Sequence, residues 1–258
     1  MKLRISFIFS TIIVISLFAV GLSAGPSSET ERKENTNLDF KWAVLRLNPS
    51  NQYEVLNDLK RPQLSSEDLI KIYIQPITNA YVYVYLLDSR NELQLIFPGS
   101  LDFFDSDYKF GEDYYIPIGE KNFFAIDEHK GTEKLYLLAS VERLKELESL
   151  TREFSNASGG KKITAKAEVL KEIKGLKTRF SKSSSSSEKP IPIAAAFRTR
   201  GLESSTGNLN ATHVNAANFY SKTIRLEHKE ELRYPNYGFC NRVLRLNTST
   251  FSAVAASV

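Results

Sequence analysis

The residues best suited to nucleophilic or metal chemistry lie far apart in this 258-residue chain: His129, His213, His228 and the single cysteine, Cys240. None follows another at the short spacing that zinc ligands usually show, so the sequence assigns no metal ligands. No nucleophile-elbow motif supports a serine nucleophile in residues 38–228. We therefore expect a protein that is not an enzyme and uses no cofactor. A hydrolase whose active site is dispersed along the chain is one alternative.

Five carboxylates are concentrated in the segment LDFFDSDYKFGED, at Asp102, Asp105, Asp107, Glu112 and Asp113. Clustered carboxylates can hold calcium, which takes six to eight oxygen ligands. The spacing differs from that of a helix-loop-helix calcium site, because Lys109 and Phe110 stand where a ligand and a glycine are needed. The segment is therefore interpreted as a solvated acidic loop.

Three tyrosines alternate with aliphatic residues in the segment AYVYVYLL, at Tyr81, Tyr83 and Tyr85. Side chains two residues apart in a strand point to the same face, so these rings are a candidate ligand platform for stacking a sugar or a peptide. The aliphatic residues between them leave the strand without a polar face. That pattern favours a strand covered on both sides, with core packing of the rings as the competing interpretation.

A basic stretch occupies residues 161–182. Its cations are Lys161, Lys162, Lys166, Lys171, Lys174, Lys177, Arg179 and Lys182, against Glu168 and Glu172. A basic amphipathic helix can lie on anionic lipid, so membrane-surface contact is one hypothesis for this stretch. A solvated helix that packs its apolar side on the rest of the fold is the other.

Short strands bounded by turn residues dominate the chain before residue 141. The predicted strands are Phe40–Leu47, Leu69–Gln75, Ala80–Leu87, Leu93–Phe97, Tyr114–Ile118, Phe123–Asp127 and Lys134–Ser140, followed late in the chain by Ile191–Phe197 and Tyr220–Glu227. The segment Leu69–Gln75 alternates in the manner of a half-buried strand. This spacing predicts a mainly β fold, an antiparallel β-sandwich that is immunoglobulin-like or related, with one or two appended amphipathic helices.

The apolar period becomes helical after residue 140. The first predicted helix carries Val141, Leu144, Leu147, Leu150 and Phe154 on one side, with Ser140 as its N-cap. The second runs through Lys161–Phe180 and carries Ile163, Ala167, Leu170, Ile173 and Phe180 on one side. The serine-rich segment SKSSSSSEKP that follows is typical of a flexible linker.

The N-terminus has the pattern of a cleavable export signal. Lys2 and Arg4 precede an apolar run from Ile5 to Val20, and small residues follow up to Ala24. We expect cleavage after Ala24 and a periplasmic or extracellular protein, with an uncleaved N-terminal membrane anchor as the alternative.

The domain plan predicted for the whole chain is a signal peptide (1–24), a disordered leader (25–37), a β-sandwich core (38–140), a helical insertion (141–180), a Ser-rich linker (181–190), returning strands of the same domain (191–228) and a tail of uncertain structure (229–258).

The charge balance restricts the classes of partner. Beyond residue 24 the chain holds 32 lysines and arginines against 30 aspartates and glutamates. A dedicated nucleic-acid binder would carry a marked basic surplus, so nucleic acid is not an expected partner. One cysteine cannot form an internal disulfide, so packing must hold the fold together.

Four segments between residues 66 and 140 carry a recognisable series of motifs: LIKIYIQ, AYVYVYLLDSRNELQLIFPG, FGEDYYIPIG and FFAIDEHKGTEKLYLLAS. This series resembles the bacterial family catalogued as domain of unknown function 4384, with its "YVYV" strand, "LFP" strand end and "G.E.L.L.AS" strand. The resemblance implies a β-sandwich-like module that is common in exported or envelope proteins. The family has no established active site, so the resemblance assigns no functional residues.

These observations lead to one working hypothesis and one further alternative. The hypothesis is an exported, non-enzymatic interaction or accessory module of a bacterial cell envelope, with an envelope protein or a glycan as its partner. The alternative is a carbohydrate- or peptidoglycan-binding module that uses exposed tyrosines. The sequence leaves the oligomeric state open.

Overall fold

The computed structural model describes residues 37–50, 52–57, 62–119, 122–126, 129–181, 185–193, 209–228 and 244–245. The predicted signal peptide, Cys240, and nearly all of the leader and the tail lie outside the described residues. None of the helices in the described ranges combines the length and the apolar composition that a membrane span requires.

Thirteen strands and three helices make up the described part of the chain. In chain order they are β1 (Asn37–Leu47), β2 (Tyr53–Val55), β3 (Gln63–Leu64), β4 (Leu69–Thr78), β5 (Tyr81–Leu87), β6 (Leu93–Phe97), α1 (Phe103–Ser106), β7 (Tyr114–Ile116), β8 (Phe124–Ala125), β9 (Gly131–Ser140), α2 (Lys145–Asn156), α3 (Gly159–Phe180), β10 (Ser186–Pro192), β11 (Asn210–Ala217), β12 (Phe219–His228) and β13 (Leu244–Arg245).

The strands form two sheets. The first sheet has the order β10-β11-β1-β4-β8-β13, with β2 paired to β1 and β7 paired to β4. The second sheet has the order β3-β12-β9-β5-β6. All pairings are antiparallel except the short ones between β12 and β3 and between β13 and β8. The fold is therefore mainly β, as predicted.

The main core lies between the two sheets. Phe40, Trp42 and Ile74 of the first sheet pack in one cluster with Val84 and Leu137 of the second. Alternate residues of a strand point to opposite faces, so each of these strands also presents an outer face. The outer face of the second sheet is covered by α2 and α3, and this confirms a β-sandwich with appended helices.

Helix α2 begins four residues later than its period predicts. Ser140, the expected N-cap, instead ends β9, where it pairs with both Tyr81 and Phe219. Pairing with the strands on both sides therefore keeps Ser140 in the sheet and out of the helix. Leu144 takes the N-cap position and makes no side-chain capping bond.

The buried side of α3 also differs from the prediction. Val169, Ile173 and Leu176 face the second sheet, whereas Ile163 is 68% exposed. Residues 159–164, at the start of this helix, are all exposed.

The linker prediction for residues 181–190 is wrong from Ser186 onward, because Ser186–Pro192 forms β10. Ser185 accepts a bond from Ala217 N–H, and Ile193 N–H donates to the carbonyl of Leu209. Backbone groups of alternate residues point to opposite sides of a strand, and those of Ser185 and Ile193 point toward β11. The backbone nitrogens of Pro190 and Pro192 therefore point away from β11. Proline lacks an N–H and is tolerated at such an edge, so the composition did not prevent strand formation. The predicted strand Ile191–Phe197 lies outside the described residues beyond Ile193.

Strand β4 is more buried than its alternation predicts. Lys71 and Tyr73, on the outer face of the first sheet, are both buried. The ammonium of Lys71 donates to the carbonyl of Gly119 at 2.7 Å and lies over the Phe123 ring. Tyr73 packs against Tyr115 of β7. Local packing therefore covers positions that alternation assigns to solvent.

Asn57 joins β1 to β11 where their backbone pairing ends. Its side-chain oxygen accepts from Val44 N–H at 2.7 Å. Its amide nitrogen donates to the carbonyl of Trp42 at 3.0 Å and to the hydroxyl of Thr212 at 2.8 Å. The site is buried, so these backbone groups need hydrogen-bond partners. The Asn57 side chain supplies them where the pairing of β1 with β11 has ended.

The substitution Asn57→Ala is expected to lower the free energy of unfolding by about 3 kcal/mol, because it leaves buried backbone groups of β1 unsatisfied. Urea denaturation followed by circular dichroism measures this loss. Asn215→Ala, at an exposed position of β11, is the matched control and should change stability by less than about 0.5 kcal/mol. Equal losses for the two variants would refute the bridging role of Asn57.

Candidate interaction surface

The three tyrosines of β5 do not form an exposed platform. Tyr83 and Tyr85 are 0% and 1% exposed and pack beneath α2 and α3. Only Tyr81, at the start of the strand, is partly exposed. The prediction of a ligand platform is therefore wrong for two of its three rings, because the helices cover the face that would have to meet the ligand.

Each buried phenol finds a polar partner on α2. Tyr83 donates to Glu148 Oε1 at 2.6 Å and accepts from Leu144 N–H at 3.0 Å. The hydroxyl of Tyr85 lies 2.8 Å from that of Thr151. Burial raises the pKa of both phenols, and the neighbouring Glu148 carboxylate adds to the effect at Tyr83. Both side chains therefore stay neutral and serve as structural hydrogen-bonding groups.

Arg143 completes the network around Glu148. Its Nε and Nη2 atoms lie 2.9 and 2.7 Å from the two carboxylate oxygens, a bidentate geometry. Its Nη1 atom contacts Asp105 and its guanidinium lies over the Phe104 ring. Hydrogen bonding to Glu148 raises the pKa of Arg143. The network therefore ties the loop that contains α1 to the first turn of α2.

The carboxylates of the acidic loop point to separate partners. Asp102 pairs with Arg152 at 2.8 Å, and Asp113 accepts from the Tyr73 hydroxyl at 2.9 Å. Asp107 accepts from Ser106, and Glu112 lies 3.8 Å from the ammonium of Lys109. No group of three or more metal-ligating side chains is found in the described ranges.

The histidines do not converge either. His213 Nε2 lies 2.5 Å from Asp39 Oδ1, and these two residues belong to paired strands of the first sheet. His228 Nδ1 lies 2.8 Å from the backbone carbonyl of His129. These contacts are made to a neighbouring strand and to a turn, so the structure brings no catalytic set of histidines together.

An aromatic cluster surrounds the first residue of β5. The rings of Tyr81 and Tyr108 are stacked at 5.9 Å, and Phe110 meets them edge-on at 5.9 and 5.8 Å. Phe110 is 47% exposed. We call Tyr81, Tyr108 and Phe110 the aromatic corner.

Backbone contacts hold the aromatic corner in place. Val82 N–H donates to the Tyr108 hydroxyl at 3.2 Å, and that hydroxyl donates to the carbonyl of Ala80. Gly111 N–H donates to the carbonyl of Pro76, and the Gln75 amide donates to the carbonyl of Gly111 at 3.1 Å. Gly111 has a φ of 85°, which a residue with a side chain rarely adopts. Phe110 is thus presented from an ordered turn.

Sequence reasoning missed Phe110 as a surface residue and considered it only as a failed calcium position. The available signal was an aromatic residue beside a glycine within a strongly polar segment. An apolar ring in such a segment either packs inward or stays exposed, and only the fold decides between the two.

Comparison with known proteins finds one family model that is similar to part of this chain. The family model described as Domain of unknown function (DUF4384) matches residues 63–143, about a third of the chain. The match confirms the resemblance over this segment, which runs from β3 through β9 to Arg143. No curated protein and no solved structure matches the chain.

The substitution Tyr83→Phe is expected to cost about 2 kcal/mol of stability, because the Glu148 carboxylate loses a buried donor and Leu144 N–H loses its acceptor. Tyr85→Phe is the matched comparison and should cost less, about 1 kcal/mol, since the Thr151 hydroxyl still donates to the carbonyl of Leu147. Chemical denaturation of both variants tests the order. A larger loss for Tyr85→Phe would contradict this account of the network.

Proposed function

We propose that the chain is an exported, non-enzymatic interaction module of the cell envelope, and that it binds a protein partner through the aromatic corner. The observation that carries the proposal is the exposure of Phe110 on an ordered turn. Aromatic residues dominate the binding energy of protein interfaces when they are held rigidly and surrounded by polar groups.

The charge around Phe110 supports a partner with basic and apolar groups. Asp107, Glu112 and Asp113 are exposed on the same loop as Phe110, and the single cation among them, Lys109, lies next to Glu112. An aromatic residue with a negatively charged rim complements an apolar side chain flanked by lysine or arginine.

The ring geometry favours a protein over a glycan. Tyr81 and Tyr108 lie at an interplanar angle of 14° and stack on each other, and Phe110 meets both rings edge-on. Sugar stacking needs the open face of a ring, whereas these two tyrosines turn one face of each toward the other. We therefore propose the protein partner first.

The partner hypothesis predicts that Phe110→Ser weakens binding at least about tenfold, as expected for the loss of an interface anchor. Residues 25–258 are immobilised, exposed to envelope extract of the native host, and the bound proteins are quantified by mass spectrometry. Ile118→Ser is the matched control, because Ile118 is 83% exposed on another loop.

The expected result is a set of proteins that the unmodified chain and Ile118→Ser retain equally and Phe110→Ser loses. Equal retention by Phe110→Ser would overturn the proposal. Loss of retention after glycan digestion of the extract, with no change for Phe110→Ser, would favour a carbohydrate-binding module.

The export part of the proposal rests on the apolar run from Ile5 to Val20 behind Lys2 and Arg4. Expression in a bacterial host should give an extracytoplasmic protein whose N-terminal sequence starts at Gly25. Ala24→Arg should block cleavage, because the peptidase requires a small residue there. A native product in the envelope that retains Met1 would instead identify an N-terminal anchor.

A further inference from the structure

Helix α3 carries two different faces. Val169, Ile173 and Leu176 are buried against the second sheet, so the fold already uses the apolar side of the helix. The residues at helical spacing on the opposite side are all exposed: Ile163, Ala167, Lys171, Lys174 and Thr178. This set is the outer face of α3. At 1.5 Å per residue the helix is about 33 Å long, so the face is extended.

Positive charge is concentrated on this helix. The segment 159–180 holds seven lysines and arginines against two glutamates, whereas the remaining residues after 24 hold 25 against 28. Lys171 pairs with Glu168, and Arg179 pairs with Glu172. Lys161, Lys162, Lys174 and Lys177 are exposed and make no ion pair with any residue that the structure describes.

An exposed aliphatic residue accompanies these cations. Ile163 is 68% exposed and lies on the outer face with Lys171 and Lys174. An aliphatic side chain among lysines on one extended face is the composition of a helix that lies at a membrane interface.

We propose that the outer face of α3 binds the surface of an anionic lipid bilayer. The lysines would contact lipid phosphates while Ile163 enters the headgroup region. Binding is shallow and electrostatic, because the apolar side of α3 remains in the fold and cannot enter the bilayer. Each lysine near an anionic surface strengthens binding about fivefold at physiological salt. The proposal stands apart from the aromatic corner, since it involves none of its residues.

Vesicle sedimentation tests the proposal. Residues 25–258 contain every described strand and helix, and they exclude the apolar run that would itself bind lipid. The protein is mixed with vesicles of phosphatidylcholine alone or of equal parts phosphatidylcholine and phosphatidylglycerol. We expect sedimentation with the anionic vesicles only, and weaker binding as salt is added.

Two double variants distinguish the effect of charge on the outer face of α3 from the effect of the protein's net charge. Lys171→Gln with Lys174→Gln, both on the outer face, should reduce partitioning about twentyfold. Lys109→Gln with Lys189→Gln changes the net charge equally at exposed positions on other elements, and should leave binding within about twofold. Circular dichroism verifies that both double variants are folded.

Three results would overturn the proposal: no sedimentation of the unmodified protein with anionic vesicles, equal sedimentation with neutral vesicles, or equal losses for the two double variants. Binding of a DNA duplex without binding of anionic vesicles would assign the basic face to nucleic acid instead. Ile163→Ser adds an independent check, because it should weaken binding to anionic vesicles without changing the salt dependence.

Discussion

Strand β5 buries Val82 and Val84 between the two sheets and, on its other face, packs Tyr83 and Tyr85 against two helices. A strand with no polar face is unsuited to a sandwich of only two layers, because its outer face would expose large aromatic rings to water. Helices α2 and α3 supply the third layer. The helical layer is thus a requirement of the β5 sequence.

Burying a tyrosine removes its apolar ring from water, which stabilises the fold, but it also buries a hydroxyl that needs a hydrogen-bond partner. A buried phenol needs a hydrogen-bond partner, and Glu148 provides one for Tyr83. A buried carboxylate needs compensation in turn, which Arg143 supplies with two bonds. Arg143 also contacts Asp105. The polar network that begins at Tyr83 of β5 therefore holds the loop that leads to the aromatic corner.

The sequence predicted most of the strands but neither one edge of the first sheet nor the exposed surface. Alternation located most of the main strands but not β11, and the missing polar face of β5 correctly indicated cover on both sides. The pattern could not say that helices provide this cover, so Tyr83 remained a candidate ligand residue. The first five residues of β10 were assigned to a linker, because an edge strand pairs through backbone atoms and serine-rich composition carries no signal for that. Phe110 was missed because exposure depends on long-range packing.

The two surfaces begin at different ends of one strand. Tyr81 opens β5 and carries the aromatic corner, whereas Lys166 near the start of α3 donates to the carbonyl of Asn91 in the turn after β5. A strand of seven residues spans about 20 Å, so the two surfaces lie about that far apart along β5. The same buried strand therefore separates an acidic, aromatic surface from a basic one.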